Sequence, residues 1–181
     1  MPETVDVEPL LVARLRGLAA RWKLRRCVSF GRSVRAFGRV WVHGPGKVRL
    51  GDRVVLDASW APIELKTIEP SSEIVIGDDV YIAGGTSIEA VVSVIVGARS
   101  RLGRFSKLLD NHFHPLVGDR HWRPPSAPVR VGEDVKVGAR AILLAGAQVE
   151  SRATIRAGTV ITRRVHVAPG RTASGLPAVV E

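Results

Sequence analysis

From Val131 onward an aliphatic residue returns at every sixth position: Val131, Val137, Leu143, Val149, Ile155, Ile161 and Val167. An α-helix repeats its apolar residues at three and four, and a half-buried strand at two, so neither accounts for a period of six. A fixed hexapeptide repeat predicts a solenoid of very short parallel strands, three hexads to a coil, each coil stacked in register on its neighbour. Written as hexads the stretch reads VGEDVK, VGARAI, LLAGAQ, VESRAT, IRAGTV, ITRRVH. The first residue of each hexad is aliphatic and is predicted to point inward. The fifth is Val, Ala, Ala, Ala, Thr and Val, all small or β-branched. Gly132 and Gly138 follow the aliphatic residue, where the chain must turn in little space.

The same period runs upstream in shorter blocks. Ile76, Ile82 and Ile88 are in phase, as are Val96, Leu102 and Leu108, two residues out of step with the first set. Leu50 and Leu56 form a weaker fragment after Val48. Two long interruptions remain, residues 57–73 and 115–130, and each is expected to be a loop thrown out from the coil. The expected fold is an all-β solenoid, a parallel β-helix from about residue 30 to 181 with one extended loop at 115–130.

Residues 8–23 carry a different period. Leu11, Leu15, Leu18 and Trp22 recur at three and four, which predicts a short N-terminal α-helix. It lies in a basic cap, residues 1–29, expected to cover the unpaired strand edge at the end of the solenoid. Residues 9–51 hold eleven Lys and Arg and no Asp or Glu, so the net charge of +10 belongs to the N-terminal part of the chain. That segment could also contact an anionic membrane surface or recruit a phosphorylated substrate. No aromatic residues interleave with its cations as a stacking platform would need, so nucleic acid is not expected as a partner. A single cysteine, Cys27, excludes an internal disulfide framework and points to a reducing compartment. The acidic N-terminus is unlike a signal peptide, and no apolar run is long enough to span a bilayer, so a cytoplasmic location is expected.

Candidate chemistry gathers where the hexads stop. After Leu108 the chain reads Leu109-Asp110-Asn111-His112-Phe113-His114-Pro115, then enters a segment with Pro124, Pro125 and Pro128. Three of the five histidines fall here: His112, His114 and His121. A histidine near its ordinary pKa, at a coil edge beside a loop, can act as a general base.

Residues 76–179 resemble the hexapeptide-repeat acyltransferases, and among them the sugar O-acetyltransferases of the galactoside and maltose type. The resemblance rests on Val94-Ile95-Val96-Gly97, Asp110 through Pro115, and Val131-Gly132-Glu133-Asp134-Val135. It continues through Ala157-Gly158-Thr159-Val160-Ile161-Thr162-Arg163 and Gly175-Leu176-Pro177-Ala178. It implies a left-handed β-helix that works as a homotrimer, transferring an acetyl group from acetyl-CoA at sites between subunits. In that family the base is the His of a His-Pro pair just before the loop, which assigns the role to His114. Its imidazole would take the proton of a sugar hydroxyl, which then attacks the thioester carbonyl directly. A backbone N–H near the coil corner could stabilise the oxyanion. Asp110 or Asp119 would orient the imidazole, and Asn111 or His112 could contact the acceptor. Coenzyme A would lie along the C-terminal coils. Ala139, Gly146, Ala147, Ala157 and Gly158 would border its pantetheine arm, with Thr162, Arg163, Arg164 and Arg171 near its phosphates.

Three positions depart from that pattern. Lys136 stands where the family usually has Trp, Gly84 falls where galactoside-type enzymes bind sugar through Asn, and Val179 replaces an Arg. A galactoside acceptor is therefore not expected. A nucleotide sugar, a glycan intermediate or a natural-product sugar fits as well. N-acetylation of an amino sugar nucleotide is the nearest alternative. Serine acetylation is a weaker one, because residues 1–26 are too short for that family's helical domain. The γ-class carbonic anhydrases share the coil and bind zinc through three His. Residues 44–111 contain none, so no metal is expected. A non-catalytic scaffold is the remaining reading.

Overall fold

A computed structural model describes residues 24, 26–27, 29–111 and 125–181. The expected helix over 8–23 and most of the cap lie outside the described residues. What is described is all-β: a left-handed parallel β-helix of seven coils, triangular in section. The first face stacks Ser29–Phe30, Lys47–Leu50, Glu73–Ile76, Ser93–Val96, Val129–Val131, Gln148–Val149 and His166–Val167. The second face runs through the start of Val55–Thr67, then Tyr81–Ala83, Arg101–Leu102, Lys136–Val137, Thr154–Ile155 and Thr172–Ser174. The third runs through the end of Val55–Thr67, then Ser87–Ala90, Lys107–Leu109, Ile142–Leu143 and Val160–Ile161. The long strands Arg35–His43 and Val55–Thr67 each turn the corner between the second and third faces. Val179–Val180 folds back antiparallel on Thr172–Ser174 and occupies the last parallel edge.

The period of six is the geometry of this prism. All seven aliphatic residues from Val131 to Val167 are buried, and the three faces take them in rotation. The small fifth residues Val135, Ala141, Ala147, Ala153 and Thr159 are buried beside them. Each coil adds a layer of three aliphatic side chains to one continuous core. Burying one such side chain stabilises the fold by roughly 1.5–3 kcal/mol.

The corners obey a second rule. At eleven corners, three residues after an inward aliphatic residue, the backbone enters the left-handed region. Asp79, Arg99, Phe105, Asp134, Arg140 and Arg152 have φ between 56° and 63°, as does Arg53, while Gly85, Gly146, Gly158 and Gly170 hold the equivalent places. The conformation costs an L-residue roughly 1–2 kcal/mol, so these corners are held by stacking rather than by local preference. Gly132 and Gly138 are glycine for a different reason. A Cβ on Gly132 would lie 2.5 Å from the Ser151 nitrogen, and one on Gly138 2.5 Å from that of Ala157. The tight space is made by the next coil, not by the turn itself.

Residues 57–73 correct the sequence expectation. They are not a loop: Val55–Thr67 is one strand, and only 68–72 leave it. Leu56, Ala58, Ile63, Leu65 and Thr67 all face inward, and between Leu56 and Leu65, the register partners of Ile82 and Ile88, the corner holds three extra residues within 58–62. That insertion at the corner conceals the period of six while preserving the strand period of two. The interruption at 115–130 ends earlier than expected, since Val129–Val131 already pairs with Ser93–Val96.

Candidate functional site

The chain leaves the prism at the corner between the third and first faces. Lys107–Leu109 completes the third face, and Asp110 and Asn111 follow, both buried. Asp110 clasps the corner: its carboxylate accepts hydrogen bonds from the Val91 N–H at 2.7 Å and the Val92 N–H at 2.6 Å. Asn111 donates to the same carboxylate at 3.3 Å. Two backbone N–H donors account for an acid that would otherwise be costly to bury. The first described contact of Asp110 is therefore with the coil beneath it. Asn111 Oδ1 is buried with no hydrogen-bond partner among the described residues. His112, His114, His121 and Asp119 lie outside the described residues.

The root of the excursion is closed on itself. The Ala127 N–H donates to the Asp110 carbonyl at 2.9 Å, and the Gly146 N–H donates to the Ala127 carbonyl at 3.0 Å. The segment holding His114 thus departs from and returns to one corner, above Gly146. A Cβ on Gly146 would sit 2.8 Å from Arg163 Cβ and 3.5 Å from Ala127 Cβ. Gly146, Ala147, Thr162, Arg163 and Arg164 share this corner with the excursion, which brings five of the nine expected coenzyme contacts to one place. Arg163 and Arg164 are exposed there, whereas Ala147 turns its methyl into the core. The other four are elsewhere. Ala139, Ala157 and Gly158 lie on the corner between the second and third faces, and Arg171 on the corner between the first and second. Within one chain these nine residues do not form a single groove.

A groove does exist on the second face, of about 680 Å³, and sequence reasoning missed it. Tyr81, Arg101, Lys136 and Thr154 occupy equivalent outward positions on four successive coils. Gly103, Gly138, Arg156 and Ala157 border them. The signal was present: each of Tyr81, Arg101, Lys136 and Thr154 immediately precedes an inward aliphatic residue. At the N-terminal end of the groove the Tyr81 hydroxyl donates to Asp57 Oδ2 at 2.7 Å. Hydrogen bonds from Ser59 and Tyr81 hold the Asp57 carboxyl below the usual carboxylate range, and the bond to Asp57 raises the Tyr81 phenol. Arg101 stacks over the Tyr81 ring at 5.4 Å, and Arg104 over the exposed Trp60 at 4.8 Å.

Cys27, at the opposite end of the prism from the C-terminal coils, is half-buried, and burial pushes its thiol up to about 12. It holds essentially no thiolate at neutral pH. Among the described residues no group of three His, Cys, Asp or Glu could hold a metal ion. No described helix is long and apolar enough to cross a membrane.

Residues 128–163 match the family model described as bacterial transferase hexapeptide (six repeats). No curated protein sequence matches the chain. Among solved structures, the chain is similar to AntD, an N-acyltransferase from Bacillus cereus, in a mutant complex with dTDP-4-amino-4,6-dideoxyglucose and coenzyme A. The TM-score is 0.71 at 13% identity, covering 90% of this chain and 87% of that one. It is similar to PerB from Caulobacter crescentus, in complex with CoA and GDP-perosamine, with a TM-score of 0.57 at 23% identity over 93% and 66% of the two chains. It is also similar to VCA0836, a hexapeptide-repeat acetyltransferase from Vibrio cholerae O1 biovar eltor complexed with acetyl coenzyme A. There the TM-score is 0.59 at 17% identity over 98% and 91%. The seven-coil prism, the buried hexad positions and the match over 128–163 agree: the chain has the left-handed β-helix fold of these solved structures, and its residues 128–163 carry the repeats of the bacterial transferase hexapeptide model.

Proposed function

We propose that the chain is an acetyl-CoA-dependent acyltransferase whose acceptor is a sugar-bearing metabolite. One observation carries this reading. The C-terminal half of the prism is broken once, and the break opens at Asp110-Asn111, directly before His114-Pro115, over a corner bearing Arg163 and Arg164. AntD, PerB and VCA0836 support the choice of acyl donor, since each is bound to CoA or acetyl-CoA.

In this reading His114 takes the acceptor's proton as the acceptor attacks the thioester carbonyl. The tetrahedral oxyanion then collapses, and CoA leaves as a thiol on receiving that proton. No acyl-enzyme forms, and the raised Cys27 thiol is consistent with direct transfer. The phosphates of the donor belong with Arg163 and Arg164. A homotrimer would supply the second wall of each site. The chain would act in the cytoplasm, with its basic segment 9–51 facing an anionic membrane or covering the end of the solenoid.

The acceptor atom has two readings. The sugar O-acetyltransferase resemblance favours a hydroxyl. AntD, an N-acyltransferase holding an amino sugar nucleotide, favours the amine of such a nucleotide. Thiol release from acetyl-CoA against matched pairs of hydroxy and amino sugar nucleotides tests both. Release with the amine alone, giving a product stable to mild alkali, selects N-transfer. Release with the hydroxyl alone, giving an alkali-labile ester, selects O-transfer. Release with no acceptor in the panel would remove the sugar reading.

A further inference from the structure

We infer that the second-face groove binds the pyrophosphate of a nucleoside-diphosphate conjugate, with Arg101, Lys136 and Arg156 on the phosphates and Trp60 under the base. The inference rests on the acyltransferase reading only in its choice of ligands: acyl-CoA and a sugar nucleotide share this chemistry.

The case begins with charge pairing between coils. Elsewhere the stack sets opposite charges against each other: Arg49 meets Glu73, Lys66 meets Glu89, Arg53 meets Asp79, and Arg99 meets Asp134. On the second face Arg101 and Lys136 are register partners on adjacent coils, like charge beside like charge. Such a pair is destabilising across neighbouring strands. Arg156 joins them on the next coil, and no carboxylate lines the groove. A stack that pairs opposite charges at these four contacts leaves three cations around an open space on the second face, which is the electrostatic form of an anion site.

Shape supports the same occupant. The groove, about 680 Å³, lies within the range of small-molecule sites. Its floor includes Gly103 and Gly138, where backbone is bare because a Cβ would strike the next coil at 2.6 and 2.5 Å. The three-residue insertion within 58–62 carries Trp60 out to 76% exposure, and Arg104, next in the chain to Gly103 of the groove lining, stacks on its ring. A large aromatic ring held by a cation beside a phosphate-sized basic groove is a stacking surface for a base.

The test is calorimetry on the full chain with UDP, dTDP, GDP, CoA and inorganic pyrophosphate. Wild type should bind the nucleoside diphosphates, and Arg101→Gln with Lys136→Gln should weaken that by about tenfold or more. Arg130→Gln, an exposed cation on the first face, should leave binding unchanged. Trp60→Ala should weaken the nucleotides and spare inorganic pyrophosphate. Competition identifies the source: dTDP displaced by CoA assigns the groove to the acyl donor, and dTDP retained under saturating CoA assigns it to the acceptor. The unliganded double variant should melt higher than wild type, since a like-charge pair is removed. No binding of any probe by wild type, or equal binding by the double variant, overturns the inference. Binding without thiol release would keep the groove and remove the acyltransferase reading. Thiol release with unchanged KM for both substrates in the double variant would do the reverse.

Discussion

Arg99 on the fourth coil donates to both carboxylate oxygens of Asp134 on the fifth, at 2.9 Å each, although the two residues are 35 apart in the chain. Between them the chain leaves the prism and returns. Ser100 reinforces the joint, donating to the Gly132 carbonyl at 2.9 Å and accepting from the Val135 N–H at 3.0 Å. The stack is thus continuous across this excursion, because the backbone ladders of both faces and the side chains at the corner join the two coils. The excursion can carry chemistry without interrupting the core.

This joint is acid-sensitive. Hydrogen bonds from Arg99 hold the Asp134 carboxyl below its ordinary value, and Arg53 does the same for Asp79 one corner up the ladder. A carboxyl depressed in the folded state contributes stability above its unfolded pKa, about 3.9, and loses it as pH falls through the folded value. Melting temperature should therefore fall as pH drops below about 4. Asp134→Asn should lower it at neutral pH and flatten that acid limb. An unchanged acid limb in Asp134→Asn would show that the pair does not hold the joint.

Layers of the core should respond as single packed units. Leu143 and Ile155 are fully buried two hexads apart, on the third and second faces. Leu143→Ala should cost about 2–5 kcal/mol in denaturant unfolding, by lost transfer energy and the cavity left behind.

The two kinds of corner glycine should separate cleanly. Gly138→Ala forces a methyl against backbone at 2.5 Å, and should destabilise strongly or prevent stacking of the next coil. Gly158→Ala meets nothing within 4 Å and pays only for a φ of 72°, roughly 1 kcal/mol. Chemical denaturation of both variants measures the difference. Equal losses would mean that the coil spacing is not what selects Gly138.

Cys27 should be inert. With its thiol near 12, labelling by a thiol reagent at pH 7.5 should be far slower than for a free cysteine. Cys27→Ser should keep full transfer activity, and loss of activity there would speak for a covalent acyl intermediate.

Much of this fold was legible because the prism writes its geometry directly into the sequence. Three flat faces and three tight corners give one inward aliphatic residue per six, as Val131 to Val167 display. Where a corner was lengthened, as within 58–62, the period vanished although Leu56 and Leu65 occupy equivalent inward sites on adjacent faces. The corner rule was not legible, because left-handed backbone at Arg99, Phe105 and Asp134 is imposed by stacked coils and selects no residue type. The second-face groove escaped for a related reason. Arg101 and Lys136 are register partners on adjacent coils, but the excursion lies between them in the chain, so the hexad count cannot bring them together. Asp110 read as a possible partner for histidine, yet its depth and its bonds to Val91 and Val92 depend on a corner that is two residues longer than the repeat.

The central claim is acyl transfer from acetyl-CoA with His114 as the base. The direct test compares wild type and His114→Ala by thiol release in the presence of a responsive acceptor, with acetyl-CoA binding measured by calorimetry on the same samples. Loss of a general base should cut turnover by about 10²–10⁴-fold while acetyl-CoA binding and melting temperature stay as in wild type. Turnover that survives the substitution, or a wild type that neither binds acetyl-CoA nor releases thiol, would contradict it.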